Sequence, residues 1–328
     1  MTLLLTRSDL TALTDMATTI EAVQRAMADL ERNHARQPTP QGMTDPGSDG
    51  VFLPMAALSR PSGLACVKLL ADLPGNSARG LPGQRSTLML ADVETGETLA
   101  ILDGMVPTRV RTAATSAVAT RHLAAPDARS LGLIGAGALA VAHVEALSHV
   151  MPLEEVMFWT RSERSAVRFR EAVAGFGVRA MGLTSPQEVV ERAEVVCTLT
   201  PSVEPLVRGA WLHSGQHLNV VGARPRPDHR EVDAETMVRS SVFVDSLPTA
   251  LAKSGDLLGA IKEGALGPGY APVELGAVII ESAPGRQYPS EITLYDSVGL
   301  GLQDLAIGRL LYDAALDQGV GLRVDLSA

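Results

Sequence analysis

Residues 130–146, Ser-Leu-Gly-Leu-Ile-Gly-Ala-Gly-Ala-Leu-Ala-Val-Ala-His-Val-Glu-Ala, constrain this chain more than any other stretch. Leu131 to Ile134 is a short apolar run of the buried-strand type, broken by Gly135-Ala136-Gly137. Apolar residues then recur at Leu139, Val141, Ala142, Val144 and Ala146, a helical spacing. A strand, a glycine turn and a helix in the pattern G-x-G-x-x-A form the fingerprint of a dinucleotide-binding βαβ unit. Gly135 permits the tight turn, Gly137 lets the backbone approach a pyrophosphate, and Ala140 lets helix and strand pack closely. The anion would rest on N–H groups at the helix start, around Ala138 and Leu139. A plain strand-to-helix turn is the alternative, and glycine spacing alone does not separate the two.

The rest of the chain reads as β/α around this unit. At 328 residues two domains are expected. Short apolar strands at 156–159, 195–199, 217–221, 241–245 and 277–281 alternate with helical stretches or loops, which predicts an α/β fold with a doubly wound parallel sheet. Ahead of the fingerprint, 8–33 reads as one amphipathic helix capped by Ser8-Asp9, with Leu10, Leu13, Met16, Ile20, Val23, Met27 and Leu30 on its apolar face. Residues 36–50 read as a loop, and 51–102 as β-strands at 52–53, 64–70, 87–90 and 99–102. An alanine-rich helix follows from 108 to about 123. The last long helix is expected over 292–317, stopped by Gly319.

Charge and composition exclude several classes of partner. The net charge is −9 without a Lys/Arg cluster, so nucleic acid and anionic membrane are not expected ligands. No apolar run approaches the ~20 residues that span a bilayer, and the N-terminus lacks a basic region ahead of its apolar one, unlike a signal peptide. Cys66 and Cys197 lie in apolar runs, which suggests two buried thiols in a reducing cytoplasm rather than a disulfide. The seven histidines show no zinc spacing: His213 and His217 are four apart, but Ser214-Gly215 between them reads as a turn, so no metal is expected.

Basic residues at three places carry chemical weight. The strand 156–159 runs into Thr160-Arg161-Ser162 with no acid at its end to hold a ribose 2′-hydroxyl. A guanidinium flanked by two hydroxyls suits a 2′-phosphate, hence NADP, with NADPH preferred and NADH the second option; a solvated loop arginine is the alternative. Lys68 is one of only three lysines and stands in the run Leu64-Ala65-Cys66-Val67-Lys68-Leu69-Leu70, on the face of Leu64, Cys66 and Leu70. There it needs a partner such as a carboxylate, unless it lies on an edge strand and turns to water. Thr108 as a cap would put Arg109 and Arg111 in the first turn of the alanine-rich helix, against its dipole, which an anion nearby would offset. An exposed arginine is the other reading.

Taken together these segments resemble the ornithine cyclodeaminase/mu-crystallin family from about residue 50 to 312. The resemblance is carried by Lys68, Pro74-Gly75-Asn76, Gly80-Leu81-Pro82, Leu90-Ala91-Asp92-Val93-Glu94-Thr95-Gly96, Asp103-Gly104 and Thr108-Arg109-Val110-Arg111-Thr112-Ala113-Ala114. It continues in Gly135-Ala136-Gly137, Arg226-Pro227-Asp228-His229-Arg230-Glu231, Lys253-Ser254-Gly255-Asp256 and Ser297-Val298-Gly299-Leu300-Gly301-Leu302-Gln303-Asp304.

The resemblance implies a homodimer in which residues 1–118 and 298–328 form a split α+β substrate and dimerisation domain around a Rossmann domain at 119–297. It implies that Lys68 and Arg111 hold the substrate carboxylate as catalytic residues, with Gly299 beside the substrate. The implied cofactor contacts are Arg111, Thr112, Gly135, Gly137, Ala138, Leu139, Thr160, Arg161, Ser162, Thr198, Val221 and Val298. Cyclodeaminases of the family carry a catalytic aspartate where this chain has Arg224 in Gly222-Ala223-Arg224, and Asp228 follows in a stretch like the mu-crystallin side. Gln41 stands near an expected carboxylate-binding arginine, and Gly83 replaces a hydroxyl residue. The activity implied is NAD(P)H-dependent reduction of a cyclic α-imino acid, or of an imine made from a keto acid. Cyclodeaminase or amino-acid dehydrogenase activity, and cofactor binding without catalysis, are the alternatives.

Overall fold

A computed structural model describes residues 1–44, 46–224 and 226–326. Its contacts divide the chain into two compact units, Met1–Arg111 with Leu300–Ala328, and Thr112–Gly299.

The first unit is a sheet with helices on one face. Strand order is Leu322–Val324, Thr2–Leu5, Thr98–Asp103, Gln84–Asp92, Leu64–Asp72, Val51–Ser59 and Ala35–Arg36, with Met43–Thr44 also paired to Val51–Ser59. Neighbours are antiparallel except Thr2–Leu5 beside Thr98–Asp103. Alternation sends Leu53, Met55, Leu64, Cys66, Lys68, Leu70, Leu88 and Leu90 inward. The helix Gly301–Gln318 lies across the strands Val51–Ser59 and Leu64–Asp72 and against Met16–Glu31. Pro54 is tolerated because the two short partner strands pair only with 51–52 and 58–59, leaving its side of the strand unpaired.

The expected helix over 8–33 is in fact two, Arg7–Leu13 and Met16–Glu31. Thr6, not Ser8-Asp9, caps the first in a reciprocal pair with Asp9, and Asp15 caps the second by accepting from the Thr18 N–H. Residues 35–36 and 43–44 of the expected loop form short strands.

The second unit is a parallel sheet ordered Arg179–Gly182, Glu155–Trp159, Ser130–Ile134, Val195–Thr198, His217–Val220, Thr293–Asp296, Ser241–Val244 and Val273–Glu274. The order reverses between Ser130–Ile134 and Val195–Thr198, the switch point where doubly wound sheets bind ligands. Gly132 on the first of these strands faces Val189 and Ala193 so closely that a Cβ would come within 2.7 Å of both.

Two expected elements exchange character. Residues 277–281 are not a strand, because the helix Leu275–Ile279 covers most of them. The strand lies instead at Thr293–Asp296, inside the stretch expected to begin the last helix, which starts only at Gly301. Thr293, Leu294, Tyr295 and Asp296 are all buried between His217–Val220 and Ser241–Val244, as suits a central parallel strand.

Candidate active site

In the first unit, two buried cations, Lys68 and Arg111, converge on Asp304. Lys68 points inward from the centre of its strand and is 1% exposed, which excludes an edge lysine turned to water. Its Nζ donates to Asp304 Oδ1 at 3.0 Å and to Oδ2 at 3.1 Å. Arg111 Nε donates to the same Oδ1 at 3.3 Å, and Arg111 Nη1 donates to Gln303 Oε1 at 2.7 Å. Two buried cations thus share one carboxylate.

Each group is placed by its own element. The last helix begins hard against Val51–Ser59, where a Cβ on Gly301 would come within 2.9 Å of the Ala56 carbonyl oxygen. Gln303 and Asp304 therefore occupy the first helical turn, where a carboxylate is favoured by the dipole. The alanine-rich helix begins at Met105, not at 108, because Asp103 caps the Met105 N–H at 3.0 Å and Pro107 fits a first turn. Arg109 and Arg111 thus stand in the second turn, so the dipole is not what they oppose. Asp304 is the anion that balances Arg111.

Burial sets the protonation here. Burial first, and Arg111 with it, lower the Lys68 ammonium to about 8 against the opposing charge of Asp304. Cys66 is pushed up to about 12, first by burial, and its neutral thiol donates to the Gly301 carbonyl oxygen at 3.3 Å. A buried ion cluster adds little net stability, since desolvation offsets the Coulomb gain. Its paired cationic donors suit the binding of a small anion.

In the second unit the glycine turn has the features of a dinucleotide cradle. Gly135 has φ +113°, and a Cβ there would come within 3.0 Å of the Leu199 carbonyl oxygen. A Cβ on Gly137 would meet nothing within 4 Å, so the turn opens to solvent where a pyrophosphate must approach. Gly137 opens the helix Ala138–Ser148, whose first N–H groups, at Ala138 and Leu139, have no intrahelical acceptor. Ala140 is fully buried against the sheet. These residues fit the dinucleotide.

Thr160 is half-buried after the second strand, and Arg161 is exposed with no hydrogen bond or ion pair among the described residues. Ser162 caps the helix Glu163–Val173 by accepting from the Ser165 N–H, so one of the two hydroxyls flanking Arg161 already serves the fold. Thr112 is buried as the first residue of this unit. Val221 and Val298 are half-buried, and Gly299, at φ +80°, donates its N–H to Asp245 Oδ2 at 2.8 Å.

Thr198 leads to a group that reading the sequence missed. Its hydroxyl donates to the buried Glu231 at 2.7 Å. Glu231 also accepts from the Thr200 N–H and hydroxyl, both at 2.7 Å, and from the N–H groups of Gly222 at 2.6 Å and Ala223 at 3.0 Å. Burial pushes its carboxyl up, while the donors aimed at its two oxygens work the other way. Gly222 is required here, since a Cβ would lie 2.2 Å from the Thr200 nitrogen.

Asp256 in turn accepts from the N–H groups of Glu231 and Val232, each at 2.8 Å. Burial, then the charge of Asp296, raises Asp256, while Asp296 itself is raised to about 7, mainly by burial. Arg224 is half-buried in the loop held by Glu231, Asp228 and Gln41 are exposed, and Gly83 is half-buried.

Comparison with known proteins gives one consistent picture. A model of the ornithine cyclodeaminase/mu-crystallin family matches residues 1–319. The chain is 36% identical over 260 residues to the ketimine reductase mu-crystallin of Rattus norvegicus, covering 79% of each. It is 34% identical to the Thermococcus litoralis Delta(1)-pyrroline-2-carboxylate reductase solved in complex with NADH and L-proline, with a TM-score of 0.95 over 98% of this chain and 100% of that one. It is 30% identical to an archaeal alanine dehydrogenase dimer solved with bound NAD, with a TM-score of 0.93 over 99% of both.

Proposed function

The chain belongs to the ornithine cyclodeaminase/mu-crystallin family, and from that premise we propose that it reduces cyclic α-imino acids with a nicotinamide cofactor. Its substrates are 1-pyrroline-2-carboxylate or 1-piperideine-2-carboxylate, and its products L-proline or L-pipecolate. The observation that carries this reading is the Lys68–Asp304–Arg111 cluster, two buried cations gathered on one carboxylate, where a substrate carboxylate would find cationic donors.

Lys68 and Arg111 bind that carboxylate, and Gly299 is a further substrate-binding residue. The unit Met1–Arg111 with Leu300–Ala328 binds substrate and dimerises, and Thr112–Gly299 binds the dinucleotide. Gly135, Gly137, Ala138 and Leu139 take the pyrophosphate, while Thr160, Arg161 and Ser162 take the ribose. The open guanidinium of Arg161, with no acid at the strand end, favours NADPH over NADH. Arg111, Thr112, Thr198, Val221 and Val298 complete the cofactor contacts.

When bound, the reduced nicotinamide supplies a hydride to the C=N carbon. The chain's own part is to hold the α-carboxylate and to let a proton reach the imine nitrogen. Lys68 has three N–H donors and gives two of them to Asp304, leaving one for the substrate. Its ammonium, at about 8, can release a proton near neutral pH. Arg224 offers a guanidinium, which has donors and no acceptor, and so cannot take the part of the acid–base group that cyclodeamination needs. The protein acts as a homodimer, and its two buried free thiols suit a reducing cytoplasm. Among the described residues no helix is long and apolar enough to cross a membrane.

The similarity to alanine dehydrogenase, which extends over nearly the whole chain, favours a second reading, reduction of an open-chain imine from a keto acid and ammonia. A substrate panel decides between them. With purified protein, kcat/KM should be highest for a cyclic imine and higher with NADPH than with NADH. Faster turnover of pyruvate with ammonia would select the second reading. Ammonia and proline formed from L-ornithine at a comparable rate would overturn both.

A further inference from the structure

Gln303 lies beside the cation cluster with half of its hydrogen-bonding capacity unused. It is fully buried. Its Oε1 accepts from Arg111 Nη1 at 2.7 Å and from the Leu300 N–H at 3.3 Å. Both partners are donors, so a flipped carboxamide would set N–H against N–H, and the oxygen must face them. The NH2 group is therefore fixed on the other side, where Nε2 has no partner among the described residues. An unpaired buried donor is uncommon in a folded protein, and one next to Lys68 and Arg111 marks where an acceptor arrives.

We propose that Gln303 is a substrate-binding residue whose Nε2–H donates to the substrate carboxylate, making a three-residue clamp with Lys68 and Arg111. The inference rests on the reductase reading for the identity of the substrate. Lys68 and Arg111 supply the charge, whereas Gln303 supplies a neutral donor of fixed direction. Arg111 holds that donor in place, so clamp and specificity are linked: an anion that cannot also meet the amide gains only the cations. The arrangement selects a planar carboxylate over a lone charged or neutral acceptor.

The test uses Gln303→Glu and Gln303→Met. The glutamate keeps an acceptor for Arg111 and the Leu300 N–H but replaces the donor by an oxygen, while the methionine removes the donor without adding charge. For both variants the KM for 1-pyrroline-2-carboxylate should rise about 10- to 100-fold, as expected on losing one hydrogen bond to a charged group, with kcat changing much less. Calorimetry on protein saturated with oxidised cofactor should show the Kd for L-proline weakened by a similar factor. If either variant folds and keeps KM and Kd within about twofold of the parent, the clamp is wrong and Gln303 only braces Arg111. If the parent turns over no imine yet binds L-proline, the reductase reading fails while the Kd comparison still decides Gln303. If the parent binds no L-proline, the clamp falls as well.

Discussion

Lys68 keeps its proton at neutral pH because Asp304 stands against it. Burial and Arg111 both press toward the neutral amine, and Asp304 is the main opposing charge, with a smaller contribution from Cys66. Binding a substrate carboxylate needs the ammonium, which is present below about 8 and lost as pH rises through that value. The kcat/KM profile for the imine should therefore carry an alkaline limb near the Lys68 value. Asp304→Asn removes the main opposing charge, so the limb should move to lower pH by about one unit or more. A limb that stays where it was in the variant would show that Lys68 is not the group observed. Half of this site is legible in the sequence and half is not, for a physical reason. Strand alternation alone puts Lys68 on an apolar face and demands a carboxylate partner. Which carboxylate is fixed by the start of the last helix: a start at 292 buries Gln303 and Asp304 mid-helix as ordinary polar residues, whereas the true start at Gly301 sets both in the first turn.

At the scale of elements, Glu231 ties together the ends of two parallel strands beside the glycine turn. It joins Thr198, the last residue of one strand, and Thr200 beyond it to Gly222 and Ala223, after the next. The tied segment also touches the dinucleotide turn, since Leu199 and Thr200 are the groups a Cβ on Gly135 would strike. In Glu231→Gln one carboxylate oxygen becomes an NH2, and both oxygens now face backbone N–H donors, so either orientation sets donor against donor. The variant should lose about 3 kcal/mol of stability, read as a lower urea midpoint, together with dinucleotide affinity. An unchanged midpoint would mean that the loop 222–232 is held by other contacts. Nothing local announces this role: Glu231 sits in a charged run, His-Arg-Glu-Val-Asp, that reads as a solvated face, and its five donors come from two distant segments. The exchange at 277–281 and 293–296 has a similar origin. Both are short apolar runs, and helix or strand is decided by what covers them, not by period. The fingerprint at 130–146 is legible because strand, turn and helix are contiguous and each glycine has a steric task.

At the scale of the whole molecule, the sheet of the first unit has one face under helices and another whose apolar side chains stay exposed among the described residues. Phe52, Leu58, Val67, Leu69 and Met89 point outward, each at least 37% exposed. Register makes them a patch, because Val67 lies between Ala56 and Met89, and Leu69 is paired with Pro54. An apolar face of this kind on a chain of net charge −9 calls for a partner surface that is apolar too, and the same face of a second copy is one. A two-fold axis would set each patch on its counterpart and close the assembly at two. The parent protein at micromolar concentration should therefore scatter light as about twice 34.5 kDa. Val67→Asp with Leu69→Asp should reduce this to the single-chain mass. Both side chains already point away from the core of their own chain, so the fold and dinucleotide binding should survive while four carboxylates face one another across the axis. A parent that scatters as one chain, or a doubly charged variant that stays paired, would mean that this face is not where two copies meet.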